Sequence, residues 1–157
     1  MSQPSLARTF MNGLFGLDGR MIRSDFWVST IALSMAAIVF SLALNSTIRI
    51  FDPGARIGVI FLVTQLLIAW PGYAISVKRG HDRNYSGWRT FWLNVLSHGV
   101  PIALIVVPLF MHATPRWQGA FWVFAVLTAY MTVDYGMLEG TPGENRYGPS
   151  PKGPIVV

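Results

Sequence analysis

Four long apolar stretches without a lysine or arginine determine what this chain can fold into. They cover residues 26–44, 57–76, 91–111 and 117–138. The hydrocarbon core of a bilayer is about 30 Å thick and takes about 20 helical residues to cross. Because lipid offers no hydrogen-bond partners, such stretches cross it as helices, whose backbone groups bond one another. The sequence therefore predicts an all-α, polytopic membrane protein with a bundle of four transmembrane helices.

The third stretch is the least regular of the four. Pro101 and Pro108 interrupt it, and His98 places a polar ring inside it. A proline removes a backbone donor and bends a helix. Two interpretations stay open: a complete transmembrane helix, which the length favours, or a re-entrant segment.

Composition agrees with a membrane protein and excludes several other classes. Charged residues make up 12% of the 157 residues, against about 25% in typical soluble domains. The absence of cysteine excludes disulfides and thiolate chemistry. The net charge of +5 is explained by the excess of basic residues that cytoplasmic loops carry, so we do not predict nucleic-acid binding.

The basic residues also predict the orientation of the chain. Nine of them lie in the N-terminal segment, in the loop between the second and third stretches, and in the tail. Arg49, Arg56 and Arg116 lie on the other side. Because cytoplasmic loops are enriched in lysine and arginine, we expect both termini in the cytoplasm.

Three segments follow from this topology. Residues 1–25 form a cytoplasmic N-terminal segment, residues 26–138 the membrane domain, and residues 139–157 a cytoplasmic tail rich in glycine and proline. We expect Gly140 to end the fourth helix as its C′ glycine and the tail to be irregular, with disorder beyond about residue 151. The N-terminal segment has apolar residues that would allow a short interfacial helix. These residues are Leu6, Phe10, Met11, Leu14 and Phe15.

Three polar motifs meet at the predicted cytoplasmic face. GRMIRSDFW begins at Gly19, KRGHDRNYSGW at Lys78 and GTPGENRYGPSP at Gly140. In this order, and over nearly the whole chain, they resemble the YhaH-like family of small bacterial inner-membrane proteins, catalogued as domain of unknown function 805. The resemblance implies a multi-pass protein of the bacterial cytoplasmic membrane, and it brings no established activity, substrate or cofactor. Residues 83–85 depart from the family pattern, in which we expect a smaller turn containing glycine.

The motifs and one acidic residue in the fourth stretch supply the candidate binding residues. They are Arg20, Arg23, Asp25, Lys78, Arg79, His81, Asp82, Trp88, Asp134, Asn145 and Tyr147. Arginines at headgroup level suit anionic phospholipids, a partner membrane protein or further copies of this chain. The alternative is that this positive face binds no ligand and is only solvated and stabilised by ion pairs. Arg79 and Asp82 would then pair with the other two motifs. We expect Asn145 and Tyr147 to bond the loop backbone.

His81 and Asp82 open an enzymatic alternative. Together with Asp134 they would supply acid–base or metal groups for a lipid or isoprenoid phosphate. A metal site needs three or four ligands, and no second histidine lies on this face, so we assign no catalytic residue, metal ligand or cofactor. We expect Asp134 to form a structural ion pair with Arg79 or Lys78.

Polar residues inside the spans open a third alternative, a small transporter or channel. Asn94 and His98 are four residues apart and share a helix face. With Gln65 they could form interhelical hydrogen bonds. No ionisable residue continues this polar path to the outer face, which argues against a transporter. Of the three alternatives we favour the non-enzymatic binding protein.

Overall fold

The computed structural model describes residues 12–48, 53–111 and 113–152. In these ranges four helices are long and apolar enough to cross a membrane, and no β-strand is present. They are Arg23–Thr47, Arg56–Asp82, Gly87–Pro108 and Trp117–Met137. The prediction of an all-α membrane protein with four spans is confirmed. Leu6, Phe10 and Met11 of the predicted interfacial helix lie outside the described residues, as do Arg49 and residues 153–157.

Two of the four spans contain a short π-helical segment. The elements are α1 (Arg23–Thr47), α2 (Pro53–Asp82), α3 (Gly87–Asn94), π1 (Val95–Gly99), α4 (Val100–Phe110), α5 (Trp117–Met131) and π2 (Thr132–Met137). The third span, α3–π1–α4, is continuous, which favours a complete crossing over a re-entrant segment. In an α-helix the ring of Pro101 would clash with the carbonyl of Ser97, and π1 widens the turn at this point.

The spans form two hairpins that meet mainly at one end. Hairpin 1 pairs α1 with α2, and hairpin 2 pairs the third span with α5 and π2. Within hairpin 1 the hydroxyls of Ser41 and Thr64 share a hydrogen bond of 2.9 Å. Between the hairpins, α1 and α2 contact π2, and α2 contacts α3. This end also collects the N-terminal segment, residues 83–86 and the tail, and we call it the polar end.

An aromatic core closes the bundle at the polar end. Phe26 of α1, Ile75 of α2 and Tyr135 of π2 form a buried cluster. The Phe26 and Tyr135 rings meet edge to face, with centroids 6.4 Å apart. The Trp27 indole N–H donates to the Gly136 carbonyl at 2.9 Å. A Cβ at Gly136 would stand 2.6 Å from the Trp27 ring, so only glycine permits this approach.

The turn between the hairpins closes without the glycine that we expect in the family pattern. Asn84 has a φ of +61°, a left-handed conformation that asparagine tolerates better than most other residues apart from glycine. The Tyr85 N–H then donates to the Gly80 carbonyl at 2.8 Å. The Ser86 hydroxyl caps α3 by accepting from the Arg89 N–H. A left-handed asparagine therefore closes this turn without a glycine.

Cysteine labelling tests the predicted orientation, because the chain has no native cysteine. Glu144 is exposed at the polar end, and Ala113 is exposed at the opposite end. We expect a membrane-impermeant maleimide to label Ala113→Cys in intact spheroplasts and to label Glu144→Cys only after permeabilisation, because the positive-inside rule predicts that the polar end faces the cytoplasm. The reverse pattern would show that the chain is inserted the other way.

Candidate functional site

Asp82, the last residue of α2, lies at the centre of the polar end. Its Oδ1 atom is 2.9 Å from Nη2 of Arg20, and its Oδ2 atom is 2.5 Å from Nη1 of Arg79. These three side chains are at most 4% exposed. A buried carboxylate stays ionised at acceptable cost only when opposite charges and hydrogen bonds surround it. We call Arg20, Arg79 and Asp82 the clasp.

Arg79 joins the clasp to the end of the fourth span. Its Nε atom donates to the Tyr135 carbonyl at 2.6 Å, and Nη2 donates to the Leu138 carbonyl at 2.5 Å. A longer bond of 3.4 Å reaches the Met21 carbonyl. The last carbonyls of a helix lack partners within the helix, and their partial negative charge favours a cation. Arg79, which belongs to hairpin 1, therefore donates hydrogen bonds to the free carbonyls at the C-terminal end of hairpin 2.

Arg20 joins the clasp to the tail. Its guanidinium donates to the carbonyls of Thr141 at 2.7 Å, Gly143 at 2.7 Å and Gly148 at 3.1 Å. The Asp82 carbonyl accepts from both the N–H and the hydroxyl of Thr141. The tail therefore folds back over the end of α2. Its own backbone carbonyls and Thr141 make the hydrogen bonds that hold it there.

Gly140 has a role that differs from its predicted one. The fourth span ends at Met137, and the residues with positive φ in this region are Gly143 and Gly148. The prediction of a C′ glycine at Gly140 is therefore wrong. A Cβ at Gly140 would stand 1.8 Å from Oδ2 of Asp82, so this glycine lets the tail lie directly on the carboxylate.

His81 belongs to the same end but faces the tail. Its Nδ1 lies 3.1 Å from the Gly19 carbonyl, and since a carbonyl only accepts, Nδ1 carries a proton. The ring stacks on Tyr147 with centroids 3.7 Å apart. Asn145 donates to the His81 carbonyl at 2.9 Å. Asn145 bonds the loop backbone as predicted, whereas the Tyr147 ring covers the imidazole instead.

Asp134 pairs with two arginines other than the predicted ones. Its carboxylate lies 3.0 Å from Nη2 of Arg83 and 2.8 Å from Nη2 of Arg89. The Arg89 guanidinium also lies over the Tyr85 ring, 3.7 Å from its centroid. The structural ion pair is present, but the prediction of Arg79 or Lys78 as the partner is wrong. Arg79 is already held by Asp82, and Asp134 lies on the side of π2 that the turn and α3 reach.

The remaining candidates lie at the edges of this network. Lys78 is buried and donates to the carbonyls of Asn12 and Gly13, which places the N-terminal helical turn (residues 12–15) against α2. Arg23 is exposed and donates to the Met137 carbonyl at 3.0 Å. Asp25 is exposed, and Trp88 is 71% exposed. The structure does not bring Asp25 or Trp88 into the clasp.

The positive charge of the polar end lies inside it rather than on its surface. Among the described residues, five buried or half-buried cations face two buried carboxylates. The cations are Arg20, Lys78, Arg79, Arg83 and Arg89, and the carboxylates are Asp82 and Asp134. The exposed charges of this end nearly balance, with Arg23, Arg146 and Lys152 against Asp18, Asp25, Glu139 and Glu144. The buried and half-buried side chains of this end therefore carry an excess of three positive charges, which carbonyl dipoles partly offset.

The groups of the enzymatic alternative do not form one reactive centre. The His81 ring is covered by Tyr147, while Asp82 and Asp134 are each held by a different pair of arginines. Within the described ranges, no three histidine, aspartate or glutamate side chains are grouped so as to hold a metal ion.

The interhelical bonds that the polar residues of the spans could form are also absent from the described part of the chain. Asn94 donates to the Thr90 carbonyl of its own helix at 2.9 Å. Nδ1 of His98 lies 2.8 Å from the hydroxyl of its neighbour Ser97. The possible bonds of Asn94, His98 and Gln65 between helices are therefore not formed; all three line a cavity between the hairpins.

Removing the Arg79 guanidinium should weaken the fold sharply. Arg79→Ala leaves Asp82 with one cation and the carbonyls of Tyr135 and Leu138 without their donor. Breaking a buried ion pair in this way costs about 3–5 kcal/mol. We expect a loss of this size in the free energy of unfolding, measured by SDS titration in mixed micelles. Arg116→Ala, at an exposed arginine of the opposite end, is the control and should change it by less than about 0.5 kcal/mol. Equal effects of both substitutions would contradict the buried role of Arg79.

Comparison with known proteins agrees with this architecture. The family described as protein of unknown function (DUF805) matches residues 14–149. Uncharacterized protein YiiR of Escherichia coli (strain K12) is 32% identical over 142 residues, which cover 89% of this chain and 88% of that protein. Inner membrane protein YhaH of the same organism is 24% identical over 137 residues, 87% of this chain and 88% of its own length. No solved structure matches the chain. The resemblance noted from the three polar motifs is confirmed, and the chain belongs to the DUF805 family.

Proposed function

We propose that this is a non-enzymatic protein of the bacterial cytoplasmic membrane whose polar end binds the headgroups of anionic phospholipids in the inner leaflet. The observation that carries the proposal is the buried excess of three positive charges at that end. A low-dielectric surrounding screens such charges poorly, so their field extends to the neighbouring headgroups. The cytoplasmic leaflet is the one rich in anionic lipid. The relative named inner membrane protein YhaH supports a location in the bacterial inner membrane.

Arg23 is the residue best placed to touch a phosphate. It is exposed at the start of α1, where its guanidinium bridges to the Met137 carbonyl of the other hairpin. Trp27 lies one turn further into the bilayer, at the depth where indoles prefer to lie. Basic groups between spans on the cytoplasmic side bind anionic headgroups, and a guanidinium offers phosphate two parallel donors.

The clasp arginines contribute field rather than contact. The guanidinium of Arg20 and that of Arg79 are almost fully buried, and each donates to Asp82 and to backbone carbonyls. A phosphate would reach them only by displacing the tail. Among the predicted basic residues we therefore propose Arg23 as the one that contacts the phosphate, with the buried charge behind it.

Lipid retention in native mass spectrometry tests the proposal. The protein is extracted gently from membranes that contain phosphatidylglycerol and phosphatidylethanolamine. We expect native protein to retain phosphatidylglycerol preferentially and Arg23→Gln to bind it at least about tenfold more weakly, because one charge-assisted phosphate contact is worth roughly 1.5–3 kcal/mol and each 1.4 kcal/mol is about a factor of ten. Arg116→Gln, at an exposed arginine of the opposite end, should leave retention unchanged.

Two other results would count against it. Equal retention of both lipids by native protein would contradict headgroup selectivity. A stoichiometric metal ion with no selective lipid would favour the enzymatic alternative at His81 and Asp82.

A further inference from the structure

Between the two hairpins lies a cavity of about 660 Å³. Its lining includes Leu66 and Trp70, which are exposed in the middle part of α2, so the cavity opens at the side of the bundle. It begins beneath the aromatic core of the polar end, at Trp27, Trp70 and Phe91, and extends to Gln65, Ile102 and Phe124 within the spans. The eleven-residue separation of Gln65 from Ser76 corresponds to about 16 Å along a helix. The volume lies within the range of roughly 300–1,000 Å³ that small-molecule sites occupy.

The walls of this cavity carry no formal charge. None of its lining residues is an aspartate, glutamate, lysine or arginine, and most of the surface is aliphatic or aromatic. Bringing an ionised phosphate or carboxylate into such a site is costly, because no counter-charge is present. An occupant must therefore be uncharged and largely hydrocarbon. This distinguishes the cavity from the headgroup site proposed at Arg23.

Polar groups nevertheless converge within it. Gln65 comes from α2, while Asn94 and His98 come from the third span. Asn94 uses one amide N–H on the Thr90 carbonyl, and Nδ1 of His98 lies against the Ser97 hydroxyl. These bonds leave the second amide N–H of Asn94, the Gln65 amide and Nε2 of His98 for the cavity. Amides and imidazoles inside a membrane protein are costly when unpaired and often mark functional sites.

The two π-helical segments border the same space. π1 carries His98, and π2 begins at Thr132, which also lines the cavity. A π-turn rotates the residues that follow it relative to an α-helix, and such turns occur frequently at functional sites. Both helices of hairpin 2 therefore depart from regular geometry where they face the cavity.

We propose that this cavity binds an uncharged, lipid-soluble molecule with a carbonyl-bearing head and a hydrocarbon tail. The head lies at Gln65, Asn94 and His98, and the side-chain amide N–H groups of Gln65 and Asn94 donate to its carbonyl oxygen. Aromatic side chains on both hairpins, among them Trp70 and Phe91, pack on the head or the first part of the tail. The tail leaves through the side opening into the bilayer. No covalent or redox step is part of the proposal.

Decylubiquinone is a suitable probe, because it is uncharged, carries ring carbonyls and quenches tryptophan fluorescence. Trp27 and Trp70 line the cavity, so binding should quench part of the emission of the purified full-length protein in nanodiscs. We expect saturable quenching. Gln65→Leu and Asn94→Leu should each weaken the apparent affinity about three- to tenfold, as expected for loss of one hydrogen bond.

Matched controls separate binding from folding. Gln118→Leu makes the same change at an exposed glutamine outside the cavity and should bind as native protein does. Thermal unfolding of each variant shows whether the bundle is intact, and the two cavity variants report independently if one of them fails to fold. Quenching that does not saturate, or native affinity in both folded cavity variants, would overturn the proposal. Neither result would bear on phospholipid retention at Arg23.

Discussion

Burial of the Asp82 carboxylate between two guanidinium groups is the interaction on which the polar end depends. Asp82 closes α2, Arg79 lies one turn before it, and Arg20 reaches it from the N-terminal segment. Each arginine then uses its other donors on backbone carbonyls of the fourth span or the tail. One carboxylate thereby holds four separate parts of the chain. Because a buried charge without its partners is costly, these parts must assemble together or not at all.

This arrangement explains why the hairpins meet at one end and leave a cavity elsewhere. The lipid-facing spans gain little hydrophobic energy from packing on each other, since lipid tails are as apolar as their side chains. Buried ion pairs at Asp82 and Asp134, with the aromatic core at Tyr135, supply the specific contacts between hairpins. Further from the polar end these ion pairs and the aromatic core no longer join the two hairpins, and a cavity lies between them. The excess positive charge of the polar end is a consequence of the same network.

The sequence predicts the spans well, because span length and lack of charge are local properties. It also indicates that Arg79 and Asp82 join the three motifs, since few other charges are available. It does not predict which arginine Asp134 meets. That choice depends on the rotation of the fourth span, and π2, which changes this rotation, has no clear signal in the sequence. For this reason Arg89 was not among the candidate residues predicted from the sequence, although an acid near a basic loop was expected to pair with some cation.

Gly140 and the polar residues of the spans show a second limit. From its position in the sequence, Gly140 is predicted to end a helix. Its contact with Asp82 could not be predicted, because it depends on how the tail folds back. Gln65, Asn94 and His98 would bond one another if the bundle were closely packed. The gap between the hairpins prevents this, and packing between distant helices cannot be derived from local sequence.

Distances between the hairpins test the central claim most directly. Spin labels at Thr47→Cys and Met111→Cys would report on separate hairpins, and labels at Thr47→Cys and Gly54→Cys on hairpin 1 alone; all three positions are exposed. In double electron–electron resonance, Asp82→Asn should broaden the distance distribution between hairpins and leave that within hairpin 1 unchanged. If the distribution between hairpins stays as narrow as in native protein, the Asp82 clasp is not what holds them together.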